Sequence, residues 1–127
     1  MKARAASVLG PLESAIMAIV WRSGRPLAVR DVVTELKDSD RAYTTVMTVM
    51  GRLAEKGILR RRQAGKAYLY EAKFTEEDML SRSAQKRVRK LVSDFGEVAL
   101  AHFADELDRM TPEMLARLRN LKKRSGR

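Results

Sequence analysis

The spacing of apolar side chains along residues 43–56 constrains the fold of this chain more than any other feature of its sequence. Apolar residues recur there at intervals of three and four, which places them on one face of a helix. The face predicted to be buried comprises Ala42, Val46, Val49, Met50 and Leu53. The opposite face, predicted to be exposed, comprises Thr44, Met47, Thr48, Gly51, Arg52 and Glu55. Gly57 favours a helix stop after residue 56. With apolar residues on one face and polar residues on the other, the sequence predicts an amphipathic helix that packs along one side only.

Two shorter helices are predicted before this one. The first begins near Pro11, since proline suits the first helical turn, and stops at Gly24. The apolar positions of the second share one face: Val29, Val32, Val33 and Leu36. The second helix lacks a good N-cap residue at its start. Leu27 and Ala28 are compatible with a short strand, and the polar residues 37–40 predict a turn before the third helix.

A basic hairpin is predicted directly after the third helix. Residues 58–62 and 67–70 have strand character, and Gly65 allows a tight turn between them. The segment holds four cations within seven residues: Arg60, Arg61, Arg62 and Lys66. A solvated edge strand is one explanation, because cations also block pairing between sheet edges. Because the hairpin directly follows a helix with an exposed polar face, contact of its cations with phosphates is the favoured explanation.

Residues 74–127 are predicted to be helical. Thr75 caps a helix with an acidic first turn, residues 94–96 break it, and Thr111 with Pro112 starts the last helix. These helices are too apolar to be stable alone in water. They are therefore expected to pack against the same region of a second copy of the chain, or else to fold back on their own chain.

Three helices followed by a basic hairpin are the element order of a winged helix-turn-helix domain. The predicted fold class is mainly α with a small β-hairpin wing. Residues 1–73 are expected to form the winged-helix DNA-binding domain and residues 74–127 a helical dimerisation region. In this architecture the third helix enters the major groove, and the hairpin reaches the flanking backbone or the minor groove.

The net charge of +10 is unevenly distributed. Residues 1–70 hold 13 basic and six acidic side chains, whereas residues 71–127 hold 13 basic and ten acidic ones. A basic front half favours a polyanionic partner, because each neutralised phosphate releases a counterion. On charge alone, an ordinary soluble protein with an excess of arginine is about as good an explanation as a protein that binds a polyanion.

The residue types that are missing exclude several classes of protein. With no cysteine and one histidine, the sequence rules out disulfides and thiolate metal sites and leaves few ways to build a nucleophile with its base. No zinc-protease, phosphate-loop or dinucleotide-binding motif occurs in it. We therefore expect neither an enzyme nor a bound cofactor or metal. The longest apolar run, residues 15–21, is far shorter than the roughly 20 residues of a membrane span.

No apolar stretch typical of a signal peptide follows the basic N-terminus. The expected location is therefore the cytoplasm, with no insertion into a membrane.

The exposed face of the third helix carries groups that suit base edges. Tyr43, Thr44 and Thr48 offer hydroxyls for bases or phosphates, and Met47 offers a thioether and methyl for a thymine methyl. Arg52, further along the helix, suits a phosphate. Gly51 weakens a helix, and close approach of its backbone to DNA would explain it; a tolerated exposed glycine explains it equally well.

Three stretches of sequence are more specific than the order of elements. YTTVMTVM at residues 43–50 is followed by Arg52-Leu53 and Lys56-Gly57. Leu9-Gly10-Pro11-Leu12-Glu13 leads to Ile16-Met17 and Trp21, and the hairpin contains Gly65-Lys66-Ala67-Tyr68-Leu69-Tyr70. These stretches resemble the penicillinase-repressor family (BlaI/MecI/CopY) of winged-helix transcriptional repressors. The resemblance covers most of the chain and is strongest over residues 9–72.

The resemblance implies a homodimeric repressor that binds inverted-repeat operators with TACA/TGTA-like cores, often upstream of β-lactamase or other resistance and stress genes. It also implies an inducing protease or membrane sensor as a partner. The residues that it places against DNA are Tyr43, Thr44, Met47, Thr48 and Arg52 on the helix, with Arg62 and Lys66 on the wing.

Two departures from the family pattern matter. Copper-responsive members carry a cysteine cluster near the C-terminus, and this chain has no cysteine. Antibiotic-responsive members are cut at an Asn-Phe bond, and His102-Phe103 occupies that place here. Either the protease differs in specificity, or induction takes another route. His102 itself is either a pH-sensitive group or an ordinary helical histidine.

Two other functions are open on the residues alone. One is a ligand-sensing winged-helix regulator with a pocket between the C-terminal helices, where the sequence places no convergent polar groups. The other is a winged helix that binds protein or RNA, against which the hydroxyl-rich helix and the basic hairpin both argue.

Overall fold

The computed structural model describes residues 5–36 and 42–125, and in these ranges the chain forms six α-helices and one β-hairpin. The helices are α1 Pro11–Ser23, α2 Val29–Glu35, α3 Tyr43–Glu55, α4 Glu76–Phe95, α5 Glu97–Asp108 and α6 Pro112–Ser125. The antiparallel strands are β1 Leu59–Ala64 and β2 Ala67–Ala72. A mainly α fold with a small hairpin is thereby confirmed, while the turn predicted at residues 37–40 lies outside the described residues.

The chain forms two compact units, the first ending at Ala84 and the second beginning at Gln85. Within the described ranges, no helix combines the length and the apolar character that crossing a membrane requires.

Carboxylates one turn into α1 and α2 satisfy the backbone at their N-termini. The Gly10 N–H donates to Oε1 of Glu13 at 3.2 Å, and Pro11 is the first residue of α1, as predicted. At α2 the Ala28 N–H donates to Oδ2 of Asp31 at 2.9 Å. The side chain of Asp31 therefore compensates for the missing N-cap residue that the sequence indicated.

The core of the first unit lies under α3. Val46, Met50 and Leu53 are completely inaccessible to solvent, so the predicted packing face is confirmed for these three residues. Val49 is half-buried. The prediction for Ala42 is wrong: it is exposed, because it is the N-cap of α3 and its extended backbone (φ −62°, ψ 142°) lies outside the helix. Side chains from α1, α2 and both strands complete the core: Ile16, Met17, Val32, Leu59 and Tyr70.

The hairpin is joined to the helices through Leu27. Its loop has two residues, Gly65 and Lys66, and Gly65 takes the positive φ of +65° that such a turn requires at its first position. Leu27 and Tyr70 form an antiparallel bridge in which each N–H donates to the other's carbonyl at 2.8 Å. The strand predicted at residues 27–28 is therefore one bridged residue. Both hairpin strands end two residues later than predicted, and β1 begins one residue later.

The starts of α4 and α6 and the break between α4 and α5 lie where the sequence predicts them. Oγ1 of Thr75 accepts the Asp78 N–H at 3.1 Å, and Oγ1 of Thr111 accepts the Met114 N–H at 3.2 Å. Gly96, with a φ of +58°, separates α4 from α5. Among the described residues of the second unit only Ala99 is buried. Its large apolar side chains are mostly exposed, so this unit closes no core within one chain.

An ion pair connects the start of α1 to the end of α3. Nζ of Lys56 lies 3.0 Å from Oε2 of Glu13. Burial acts to raise the pKa of Glu13, but hydrogen bonds from Lys56 and from the Gly10 N–H, with the charges of Lys56 and Arg52, outweigh it and hold the pKa below its ordinary value of 4.5.

Replacing Glu13 with glutamine removes the charge and keeps an acceptor for the Gly10 N–H. Because the pKa of Glu13 is lowered by folding, the charged form stabilises the fold at neutral pH, and this contribution is lost as the pH falls through the folded pKa. We expect Glu13→Gln to lower the free energy of unfolding by ~0.2–1 kcal/mol at neutral pH, the range for exposed pairs, and by less in acid. Urea denaturation at the two pH values measures this.

The control is Glu35→Gln, since Glu35 is exposed and forms no ion pair with a described residue. A loss that is the same at both pH values, or that the control reproduces, would contradict the role of the Glu13 charge.

Candidate nucleic-acid interface

The five residues predicted for α3 lie together on its solvent-facing side. Tyr43 is 50% exposed and Met47 is 43% exposed, and Thr44, Thr48 and Arg52 are exposed as well. We call these five residues the α3 face. Because the other side of α3 is held in the core, the fold presents the α3 face to solvent as one surface.

The two threonines of the α3 face differ in what they can bind. Oγ1 of Thr48 donates to the carbonyl of Thr44 at 2.9 Å, one turn earlier in the helix. With its proton engaged, the Thr48 hydroxyl can act only as an acceptor. The Thr44 hydroxyl forms no hydrogen bond with a described residue, so it can both donate and accept.

The four cations of the hairpin, predicted as one cluster, have different surroundings. Arg60 pairs with Glu71, with Nε 3.2 Å from Oε1. The exposed side chains of Arg62 and Lys66 form no ion pair or hydrogen bond with any residue that the structure describes. Lys66 lies in the loop, and Arg62 stands opposite Leu69 in the strand register. The two predicted wing residues are thus the ones whose charges remain uncompensated.

Arg61 is the residue whose position the sequence did not reveal. It stands opposite Tyr70, and its guanidinium lies 4.6 Å from the centre of the Tyr68 ring. A hydrogen bond with Tyr70 is the largest cause of a raised pKa of Arg61, helped by the nearby Tyr68 and Glu55 and opposed by burial. Nη1 also lies 3.8 Å from the point where a Cβ on Gly51 would stand. The guanidinium is therefore held between the hairpin and the middle of α3.

Strand alternation was the available signal for Arg61. In the observed register Arg61 and Tyr70 are cross-strand partners, and Gln63 and Tyr68 form the next pair on the same face. Counting from the turn would have placed Arg61 beside both tyrosines, on the face opposite to Arg62.

A helical core, an antiparallel hairpin bridged back to the segment between α1 and α2, and a polar third helix held by its apolar side define a winged-helix protein. Comparison with known proteins agrees with this class. The solution structure of the DNA-binding domain of the repressor BlaI matches with a TM-score of 0.50 at 26% sequence identity, covering 61% of this chain and 93% of that one.

The sequence comparisons identify the family. The family model for the penicillinase repressor matches residues 9–124. The transcriptional regulator BlaI of Mycobacterium tuberculosis, from strains CDC 1551 and H37Rv, is 34% identical over 108 residues, which are 79% of this chain and 78% of the relative. The chain belongs to the penicillinase-repressor family. It is a DNA-binding transcriptional repressor, and hence a regulator and not an enzyme.

Gly51 lies on the surface of α3, and the fold itself does not require a glycine there. It is half-buried, not exposed as predicted, and an added Cβ would meet only Nη1 of Arg61, at the ordinary contact distance of 3.8 Å. Since alanine favours a helix over glycine, we expect Gly51→Ala to raise the free energy of unfolding by ~0.5–1 kcal/mol. Urea denaturation measures the change.

Gly57→Ala is the matched comparison, because Gly57 ends α3 with a φ of +77°, which strains any other residue. It should destabilise the chain. If Gly51→Ala destabilised the chain as much, the helix would need glycine at position 51 for its own packing.

Proposed function

We propose that this repressor binds inverted-repeat operator DNA as a homodimer, with α3 in the major groove and the hairpin against the flanking backbone. The observation that carries the proposal is the α3 face, where hydroxyl, thioether and guanidinium groups are exposed on a helix whose other side is fixed in the core. Operators with TACA/TGTA-like cores, upstream of β-lactamase or other resistance and stress genes, are the expected targets, and the nucleoid of the cytoplasm is the expected location.

The chemistry of the α3 face suits a mixed set of contacts. Met47 and the methyl group of Thr48 can meet thymine methyls, and the Thr48 oxygen can accept from the amino group of adenine or cytosine. Tyr43 and Thr44 begin the helix, where side chains of a recognition helix reach base edges. Arg52 lies further along and suits a phosphate. Absence of a Cβ at Gly51 leaves room for the DNA backbone to approach the helix.

Arg62 and Lys66 are proposed to bind phosphates from the wing. Phosphate contacts fix the register of a protein on DNA and carry no sequence information. Both side chains are exposed and lack an ionic partner among the described residues, so binding of DNA would break no existing ion pair.

Replacing Thr48 with alanine tests whether the α3 face reads sequence. A duplex is first selected from a random pool by the wild-type protein. Changing one base pair of such a site ordinarily costs ~1–3 kcal/mol. At the base pair that Thr48 contacts, Thr48→Ala should reduce this penalty towards zero. Competition binding with a set of single-base variants measures it.

Thr34→Ala is the control. Oγ1 of Thr34 donates to the carbonyl of Arg30 at 2.9 Å, the same arrangement as in Thr48, and Thr34 is also exposed on a helix. Its loss should leave every penalty unchanged. If Thr48→Ala also left the full set of penalties unchanged, the assignment of the α3 face as reader would fail.

The second unit supports the homodimer. Leu91, Phe95, Val98, Ala99, His102 and Phe103 line an apolar groove of about 310 Å³ within this unit. Phe95 is 58% exposed and Val98 is 60% exposed. A monomer rarely leaves so contiguous an apolar surface in water. We propose that the same groove of a second copy covers it in a two-fold arrangement, which matches the two-fold symmetry of an inverted repeat.

The His102–Phe103 bond lies inside α5 and beside this groove. A protease that cut there would destroy the proposed dimer surface, but it would need the helix to open first, since nicking favours exposed loops. We propose that the inducer, whether a protease or a membrane sensor, acts on this segment.

Placing a carboxylate in the groove tests the dimer. We expect Val98→Glu to raise the dissociation constant of the dimer by at least roughly tenfold, because burying an unpaired charge costs several kcal/mol. Ser93→Glu adds the same charge at an exposed position of α4 and should leave the constant unchanged. Sedimentation equilibrium measures both. A Val98→Glu dimer as tight as the wild type would refute the groove as interface.

A further inference from the structure

A long stretch of α4 contains cations and no acids. Residues 79–93 include no aspartate or glutamate and five basic residues: Arg82, Lys86, Arg87, Arg89 and Lys90. Exposed helices usually intersperse charges of both signs, which form favourable pairs one turn apart. α5, by contrast, carries four acids and no lysine or arginine, whereas α6 carries one acid, Glu113, followed by five basic residues, which makes α6 a charge-matched comparison for α4.

Three of these cations have no partner among the described residues. Lys90 pairs with Asp94, with Nζ 2.9 Å from Oδ2, and the guanidinium of Arg82 lies 4.0 Å from the centre of the Phe74 ring in the first unit. Lys86, Arg87 and Arg89 are exposed and form no ion pair or hydrogen bond with a residue that the structure describes. We call these three residues the α4 basic face.

The arrangement of the α4 basic face opposes the stability of the free chain. Lys86 stands one turn from both Arg89 and Lys90, and like charges at these spacings destabilise a helix. Apolar residues occupy the other side of the same segment: Val88, Leu91, Val92 and Phe95. Two of them, Leu91 and Phe95, line the groove proposed for the dimer. Covering that groove would leave Lys86 and Arg89 in solvent on the opposite side of α4, with Arg87 at the edge of the covered surface, one turn from Leu91.

We propose that the α4 basic face is a second contact surface for duplex DNA, which binds phosphates without reading bases. The inference rests on the proposed binding of operator DNA, because that DNA is the polyanion the protein brings closest to itself. Two of the three residues are arginines, whose planar guanidinium binds phosphate oxygens in pairs. The face has no aromatic residue to stack on unpaired bases and no apolar residue to enter a lipid surface.

The test is the salt dependence of binding to a duplex of arbitrary sequence. The triple variant K86Q/R87Q/R89Q should make the plot of log affinity against log salt shallower, by ~0.9 for each phosphate contact that is lost. The control R117Q/R119Q/K122Q removes the same charge from exposed positions of α6. Its slope should equal that of the wild type.

Three results would overturn the proposal. The first is a triple variant whose slope equals that of the wild type. The second is a control whose slope falls by as much, which would reduce the effect to net charge. A larger change on single-stranded RNA of the same length than on the duplex would also contradict it, because RNA would then be the partner.

Unfolding of the variant and failure of operator recognition can each be distinguished from failure of the α4 basic face. Removing the repulsion between neighbouring cations should leave the melting temperature of the triple variant equal to or above that of the wild type, so weaker binding cannot be ascribed to unfolding. If the wild type showed no preferred sequence, operator recognition would fail, but the slope on an arbitrary duplex would still test the α4 basic face. An unchanged slope with sequence preference intact would remove this proposal alone.

Discussion

Burial of Val46, Met50 and Leu53 beneath α3 is the interaction on which the rest of the structure depends. None of the three is accessible to solvent, and together they fix the rotation of the helix about its axis. A rotation by one residue would bring Met47, Gly51 and Ala54 to the positions of Val46, Met50 and Leu53, and the smaller Gly51 and Ala54 would leave part of the core unfilled. The side chains that α3 presents to solvent are therefore selected by the core, and the α3 face is a consequence of how the helix packs.

The hairpin depends on the same core. A two-stranded hairpin is marginal by itself in water, and here it is stabilised by the buried ring of Tyr70 and by the paired backbone of Leu27. Tyr70 in turn holds Arg61, whose guanidinium reaches the space beside Gly51. The hairpin and α3 are thus linked through two side chains, which makes their relative placement a property of packing and not of the loop between them.

Local signals in the sequence predicted most of the fold. Proline, threonine and glycine at helix ends act through neighbouring backbone, so Pro11, Thr75 and Gly96 marked boundaries that the structure confirms. The prediction that Ala42 is buried failed, because a small apolar residue fits the helical period equally well inside a helix or at its cap. Strand alternation could have placed Arg61 beside the two tyrosines, but its approach to Gly51 depends on how β1 packs against α3, which no local signal encodes. The exposure of the α3 face was predicted from the same apolar spacing that predicted the helix, because that spacing determines which side of the helix is buried.

The central claim is that the α3 face meets the bases of DNA, and Met47 offers the most direct measurement of it. With the methionine methyl groups labelled with carbon-13, NMR spectra are recorded before and after addition of a duplex that the protein has selected from a random pool. We predict a large shift of the Met47 methyl signal and little change for Met17, which is inaccessible in the core. Saturating binding that leaves the Met47 signal in place would contradict the claim.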